Sequence, residues 1–246
     1  MRINWLTAFL DLPHNAEAET FWLEITRSRL SARRGEFQEF ATLLPPDGDA
    51  YLRVQQVGGD GGCHLDIHVD DVHDRTAVEL GASVVDDPGN IVVLRSPGGL
   101  PFCLVPHHGE SVRPLPLTWP DGQTSLVDQL CIDIAPADFE READFWSALT
   151  SWERRRAGLS EFDYLVRPEG MPLRLLLQRL DEPAPVVRAH LDLACDGRVP
   201  EVRRHQALGA TFVRETDDWV TLLDPAGLPY CITTRDPVGG AGGSGG

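Results

Sequence analysis

The residues best placed for chemistry come in two matched pairs. His64 and Asp66 flank Leu65, and His190 and Asp192 flank Leu191. Alternate side chains of a strand share a face, so each His/Asp pair points one way while Leu65, Ile67, Leu191 and Leu193 point the other. A carboxylate beside an imidazole orients it and raises its pKa, and such a pair opposite a bound molecule can act as a general base. His190 and Asp192 are the candidate catalytic pair, although no nucleophile stands beside them. The plainer alternative is a structural histidine held by a neighbouring carboxylate or carbonyl.

The elements that must position these pairs occur twice. Phe21-Trp22 returns as Phe145-Trp146, Val54-Gln55-Gln56-Val57 as Leu177-Gln178-Arg179-Leu180, and Leu80-Gly81-Ala82 as Leu208-Gly209-Ala210. Pro97 to Leu104 returns as Pro225 to Ile232. Because these matches keep their order at nearly constant offset, the chain reads as a tandem duplication. In the first half, Ile3 to Leu12 reads as a strand and Asn15 to about Arg29 as a helix burying Ala18, Phe21, Trp22 and Ile25. Strands are expected over 30–34, 36–44 and 51–57, then a Gly-rich break and the His64 strand. Asp70 and Asp71 can cap a short helix ending near Gly81, and three further strands follow over 82–85, 91–95 and 102–105. The second half repeats this order, with Pro200 suited to the first turn of its short helix.

Composition limits the partners. The formal charge is −16, and all 22 basic residues are Arg, so phosphate backbones and anionic membranes are repelled. Neither nucleic acid nor a membrane is an expected partner. Residues 1–12 carry no sustained apolar run, which predicts neither a signal peptide nor a span and places the protein in the cytoplasm. Five cysteines without paired spacing argue against a disulfide framework, as suits a reducing compartment. Cys63 and Cys195 read as core or surface thiols.

Taken together, the Phe-Trp helix, the strand ending in Leu-Gln, the His-Leu-Asp strand, the Leu-Gly-Ala helix end and the Pro-x-Gly-x-x-Tyr/Phe-Cys strand resemble the glyoxalase-like branch of the vicinal oxygen chelate superfamily, which includes bleomycin-resistance proteins. The resemblance covers nearly the whole chain, once per half. It implies an α+β fold of paired βαβββ modules whose mixed sheets curl into cups, with helices outside and the ligand site inside. It also implies four metal-ligand positions per cup. These match Thr7, Gln55, His64 and Cys103 in the first half and Cys131, Gln178, His190 and Cys231 in the second. Only the His is retained, so the metal chemistry does not carry over and no metal or other cofactor is expected. Cys131, His190 and Cys231 are nonetheless a zinc-type donor set that family geometry would converge. Against zinc stand Gln178, a poor ligand, and the frequent use of cysteine as core filler.

Domains are therefore expected over 1–108 and 126–236, with a Pro-rich linker over 109–125 and a disordered Gly-rich tail over 237–246. Gln55, His64, Asp66, Cys103, Cys131, Asp133, Gln178, Trp219 and Cys231 are the candidate ligand contacts. Trp219 alternates with Thr221 and Leu223 and could stack on a flat ligand, or simply pack in the core. Two functions remain open: a metal-independent small-molecule-binding protein, of resistance or sequestering type, and a metal-independent lyase or isomerase using His/Asp as acid and base. Ligand-sized cavities are expected in both cups, the second better formed. A homodimer, with or without exchange of modules, is compatible with the pattern.

Overall fold

The computed structural model describes residues 1–238, and the expected tail lies, from 239 onward, outside the described residues. The first half runs β1 (Ile3–Pro13), α1 (Ala16–Thr26), β2 (Arg29–Leu30), β3 (Phe40–Leu44), β4 (Leu52–Val57), β5 (Gly62–Val69), α2 (Thr76–Glu79), β6 (Ser83–Asp86), β7 (Val92–Arg95) and β8 (Pro101–Pro106). After β9 (Leu117–Thr118), the second half runs β10 (Thr124–Ile134), α3 (Phe139–Thr150), β11 (Arg154–Arg156), β12 (Phe162–Leu165), β13 (Arg174–Arg179), β14 (Arg188–Cys195), α4 (Arg198–Ala207), β15 (Thr211–Glu215), β16 (Trp219–Leu223) and β17 (Pro229–Thr233).

Each half is a pair of βαβββ modules and makes its own sheet. The orders are β2-β3-β4-β1-β5-β8-β7-β6 and β11-β12-β13-β10-β14-β17-β16-β15, with β9 paired to β10. The first strands of the two modules lie antiparallel at the centre, β1 on β5 and β10 on β14, flanked by parallel pairings to β4, β8, β13 and β17. The α+β class and tandem cups implied by the sequence are thus the observed architecture.

Alternation sorts the faces as expected. Leu6, Ala8, Leu10, Leu65 and Ile67 join the hydrophobic core, as do Leu130, Ile132, Leu191 and Leu193. Burying such side chains contributes roughly 1.5–3 kcal/mol each. The helices then bridge the halves. On α1, Phe21 and Trp22 pack against Tyr230 of β17 at 5.7 and 5.5 Å between rings, and on α3, Trp146 packs against Phe102 of β8 at 5.3 Å. The Trp22 indole donates to Asp224 at 2.8 Å, and the Trp146 indole donates to Glu142 at 2.9 Å.

Some boundaries differ from expectation. α1 stops at Thr26 because Arg27 turns left-handed (φ 47°) and bonds back to Glu24 and Leu23. The strands expected over 30–34 and 36–44 shrink to β2 and β3, since Gly35 (φ 89°) and Gln38 (φ 58°) turn the chain between them. The linker region is not featureless: β9 and the start of β10 fall within it.

Candidate functional site

In the first cup, β5 presents His64 and Asp66. His64 Nδ1 lies 2.8 Å from Asp11 on β1, its ring stacks on Phe9 at 4.4 Å and 9°, and its Nε2 is 3.9 Å from Asp66. Burial opposes a charged ring, yet the hydrogen bond and charge of Asp11 raise the His64 pKa. Asp66 is also bound by Arg53 of β4 at 3.2 Å. Burial raises the thiol of Cys103 on β8, across from Asp66 in register.

The second cup repeats the frame with different filling. His190 Nδ1 lies 2.8 Å from Asp133 on β10, and its Nε2 is 3.3 Å from Asp192 and 3.7 Å from Cys231. Burial again opposes the charge, but Asp133, followed by Cys131 and Asp192, holds the ring well above the usual histidine value. Gln129 donates to Asp192, Cys131 sits 3.5 Å from Gln178, and burial pushes the thiols of Cys131 and Cys231 upward. Trp219 meets Phe162 edge-to-face at 5.5 Å. These two residues come from opposite arms of the sheet, β16 and β12, so their contact closes the concavity.

The polar stripe of this cup continues into a cluster of arginines. Asp128, the extra residue at a bulge in β10, takes a bidentate pair from Arg235 at 2.6 and 2.8 Å, with Arg113 at 3.9 Å. Arg167 donates to the carbonyls of Asp128 and Pro172, and Arg174 stands over the Tyr164 ring. Burial and neighbouring guanidinium charge push Arg167 and Arg174 down to about 10. Four cations thus surround one carboxylate, in a chain whose net charge is −16.

Sequence reasoning found the histidines and one of the two carboxylates beside each, and did not pair them with the closer anchors. The Nδ1 anchors are Asp11 and Asp133 on the neighbouring strand, while Asp66 and Asp192 lie on the Nε2 side. Register also replaces Thr7 as the counterpart of Cys131: Phe9 faces His64 as Cys131 faces His190, and Thr7 faces Asp66 as Gln129 faces Asp192. Gln55 and Gln178 hold equivalent places beside Asp11 and Asp133. Within the cups the polar groups pack on one another, though Asp192 Oδ1 and Gln129 Oε1 of the second are buried without a hydrogen-bond partner, and Phe9 covers the histidine ring of the first. A cleft of about 460 Å³ lies elsewhere, between α1 and the turns around Gly209 and Asp224. Asp128, Phe162 and the arginines were missed, for they sit on a bulge, at the first positions of β12 and β13, and on connections, where no periodic signal marks them.

The four-ligand set that the resemblance implied is not gathered into one cluster by these residues. The two thiols expected to join in a zinc set fall into different trios, Cys131/Asp133/His190 and His190/Asp192/Cys231. Both ring nitrogens of His190 already face carboxylates. In the first cup, the carboxylate of the trio His64/Asp66/Cys103 is taken by Arg53.

Comparison with known proteins places this geometry. No curated protein matches the sequence. Among solved structures, the chain is similar to an extradiol ring-cleaving dioxygenase from B. fuscum, with TM-score 0.64 and 12% identity over 99% of this chain and 75% of that one. It is similar to the Mn(II)-bound glyoxalase from Novosphingobium aromaticivorans, with TM-score 0.62 and 14% identity over 94% and 82% of the two chains. A mutant 4-hydroxymandelate synthase from Streptomyces coelicolor aligns with TM-score 0.60 and 17% identity over 96% and 93%. At these identities the likeness is one of fold. The profile of the glyoxalase-like domain matches residues 7–105 and again 129–233, and the chain belongs to that family, as two domains in tandem.

Proposed function

We propose that this protein holds a small organic anion in its second cup, with no metal resident there. The observation that carries the reading is the continuous stripe from Asp133 and His190, through Asp192 and Gln129, to the four arginines around Asp128. A ligand lying along it would place a carboxylate or phosphate against Arg174 and Arg235, through the planar, charge-assisted contacts guanidinium favours. Its other end would reach the Nε2–H of His190, and Trp219 and Phe162 would part to sandwich a flat body. Gln178, Cys131 and Cys231 complete the wall. Binding without turnover, as in a sequestering or resistance protein, suits a cup whose histidine is held between two carboxylates, Asp133 and Asp192.

A second reading, acid–base catalysis of a lyase or isomerase type, is favoured by one distance. At 3.3 Å the Asp192 contact is the looser of the two on His190, so its Nε2 proton is the one a substrate can compete for. The experiment that tests binding compares benzoate and phenyl phosphate with neutral benzamide by calorimetry. The anions are expected to bind more tightly, and Arg174→Gln to remove the difference. Equal affinity for benzamide would contradict an anion site.

A further inference from the structure

We propose that His68, His107 and Glu110 form a binding site for one divalent ion of the zinc type, apart from both His/Asp centres. His68 lies near the end of β5, His107 directly follows β8, and Glu110 lies three residues further on. His68 Nδ1 is 3.6 Å and His107 Nδ1 is 3.3 Å from Glu110 Oε2, and the three ligand atoms lie within 4.8 Å of one another. Ligands about 2.0–2.2 Å from a tetrahedral zinc stand roughly 3.3–3.5 Å apart, so the carboxylate is within about 0.1 Å of that spacing from both rings, and small side-chain shifts would bring the two nitrogens to it.

Both Nδ1 atoms are buried and have no hydrogen-bond partner, and the His68 side chain is 1% exposed. Two ring nitrogens thus aim at one carboxylate, an arrangement that a shared cation would bridge. The surroundings hold each ligand in place. His68 Nε2 is 2.9 Å from Thr7 Oγ1, and an Nε2–H donating there leaves the Nδ1 lone pair free. The amide of His107 donates to Val69, and the amide of His108 donates to Glu110 Oε2 at 3.0 Å. The side chains of His107 and Glu110 are 22% and 19% exposed, so an ion can enter and water can take the fourth corner. Two imidazoles and one carboxylate suit zinc, cobalt or nickel rather than magnesium or calcium. The described residues of the second half hold no counterpart, since Ala194 stands where His68 does. The ion would fasten the start of the connection between the halves to β5.

The test strips the full chain with EDTA and titrates it with zinc chloride, with cobalt chloride as a spectroscopic arm. About one zinc per chain is expected, and His107→Gln and Glu110→Gln should each weaken binding by about tenfold or more. The Cys131→Ser, Cys231→Ser double variant should bind as the wild type does, and the cobalt form should lack a thiolate charge-transfer band. Circular dichroism shows that each variant is folded. Absence of saturable zinc uptake would overturn the proposal. So would uptake that survives both His107→Gln and Glu110→Gln, or that disappears with the two cysteines. None of these outcomes bears on anion binding in the second cup, which the benzoate comparison decides separately.

Discussion

The two cups share their strands and their histidines and differ in what surrounds them. Where the first puts Phe9 and Arg53 side by side on β1 and β4, the second puts Cys131 and Leu176 on β10 and β13. Phe9 covers the His64 ring and Arg53 occupies Asp66, so the first histidine has a stacked face and a neutralised neighbour. Among the described residues no aromatic ring stacks on His190, Gln129 donates to Asp192, and Arg113, Arg167, Arg174 and Arg235 gather around Asp128. A retained His/Asp pair is therefore not a retained site. The Nδ1 anchor was kept in both halves, and the groups beyond it decide whether a ligand can reach the ring.

The two helix contacts make the same point with a carboxylate that has moved. Asp224, in the turn before β17, accepts the Trp22 indole from α1. In the other contact that turn position is Ser96, and Glu142 on α3 supplies the carboxylate to the Trp146 indole and the Gly98 amide. Glu142→Ala leaves both donors without an acceptor, which should cost about 1–3 kcal/mol and lower the melting temperature. Adding Ser96→Asp should recover part of that loss by rebuilding the Asp224 arrangement. Failure to recover would show that the two contacts are not interchangeable.

A smaller difference separates the histidines by pH. The folded pKa of His190 is raised, so its stabilisation is complete below the ordinary value of 6.5 and is lost as pH rises through the folded pKa. His205, between α4 and Tyr230, is lowered, chiefly by burial, so its contribution is present above 6.5 and is lost as pH falls. Chemical denaturation across pH should therefore show His190→Gln costing most on the acid side and His205→Gln costing most on the alkaline side. Parallel profiles would mean that the two rings share a charge state.

Much of the fold was legible because period-two alternation and repeated motifs are local signals. Leu65, Ile67, Leu191 and Leu193 face the core where the sequence put them. The site was less legible, for its partners come from neighbouring strands. The second half carries two more residues between its first strand and its Phe-Trp helix than the first half does, which is why aligning on Phe21-Trp22 and Phe145-Trp146 made Thr7 look like the counterpart of Cys131. Asp128 is itself the residue inserted at one bulge. His107 and Glu110 carry an i, i+3 spacing in the sequence, but their third partner, His68, reaches them only through the pairing of β5 with β8. The length of the 30–44 strands was misjudged because Gln38, a non-glycine residue, takes a positive φ.

On the proposed function, the second cup and not the first receives the ligand. Calorimetric titration of benzoate into the wild type, His64→Ala and His190→Ala tests it most directly. His64→Ala should bind as the wild type does. His190→Ala should lose about tenfold or more, since a hydrogen bond to a charged group contributes roughly 1.5–3 kcal/mol. Unchanged affinity in His190→Ala with only a lowered melting temperature, or loss of binding in His64→Ala, would contradict it.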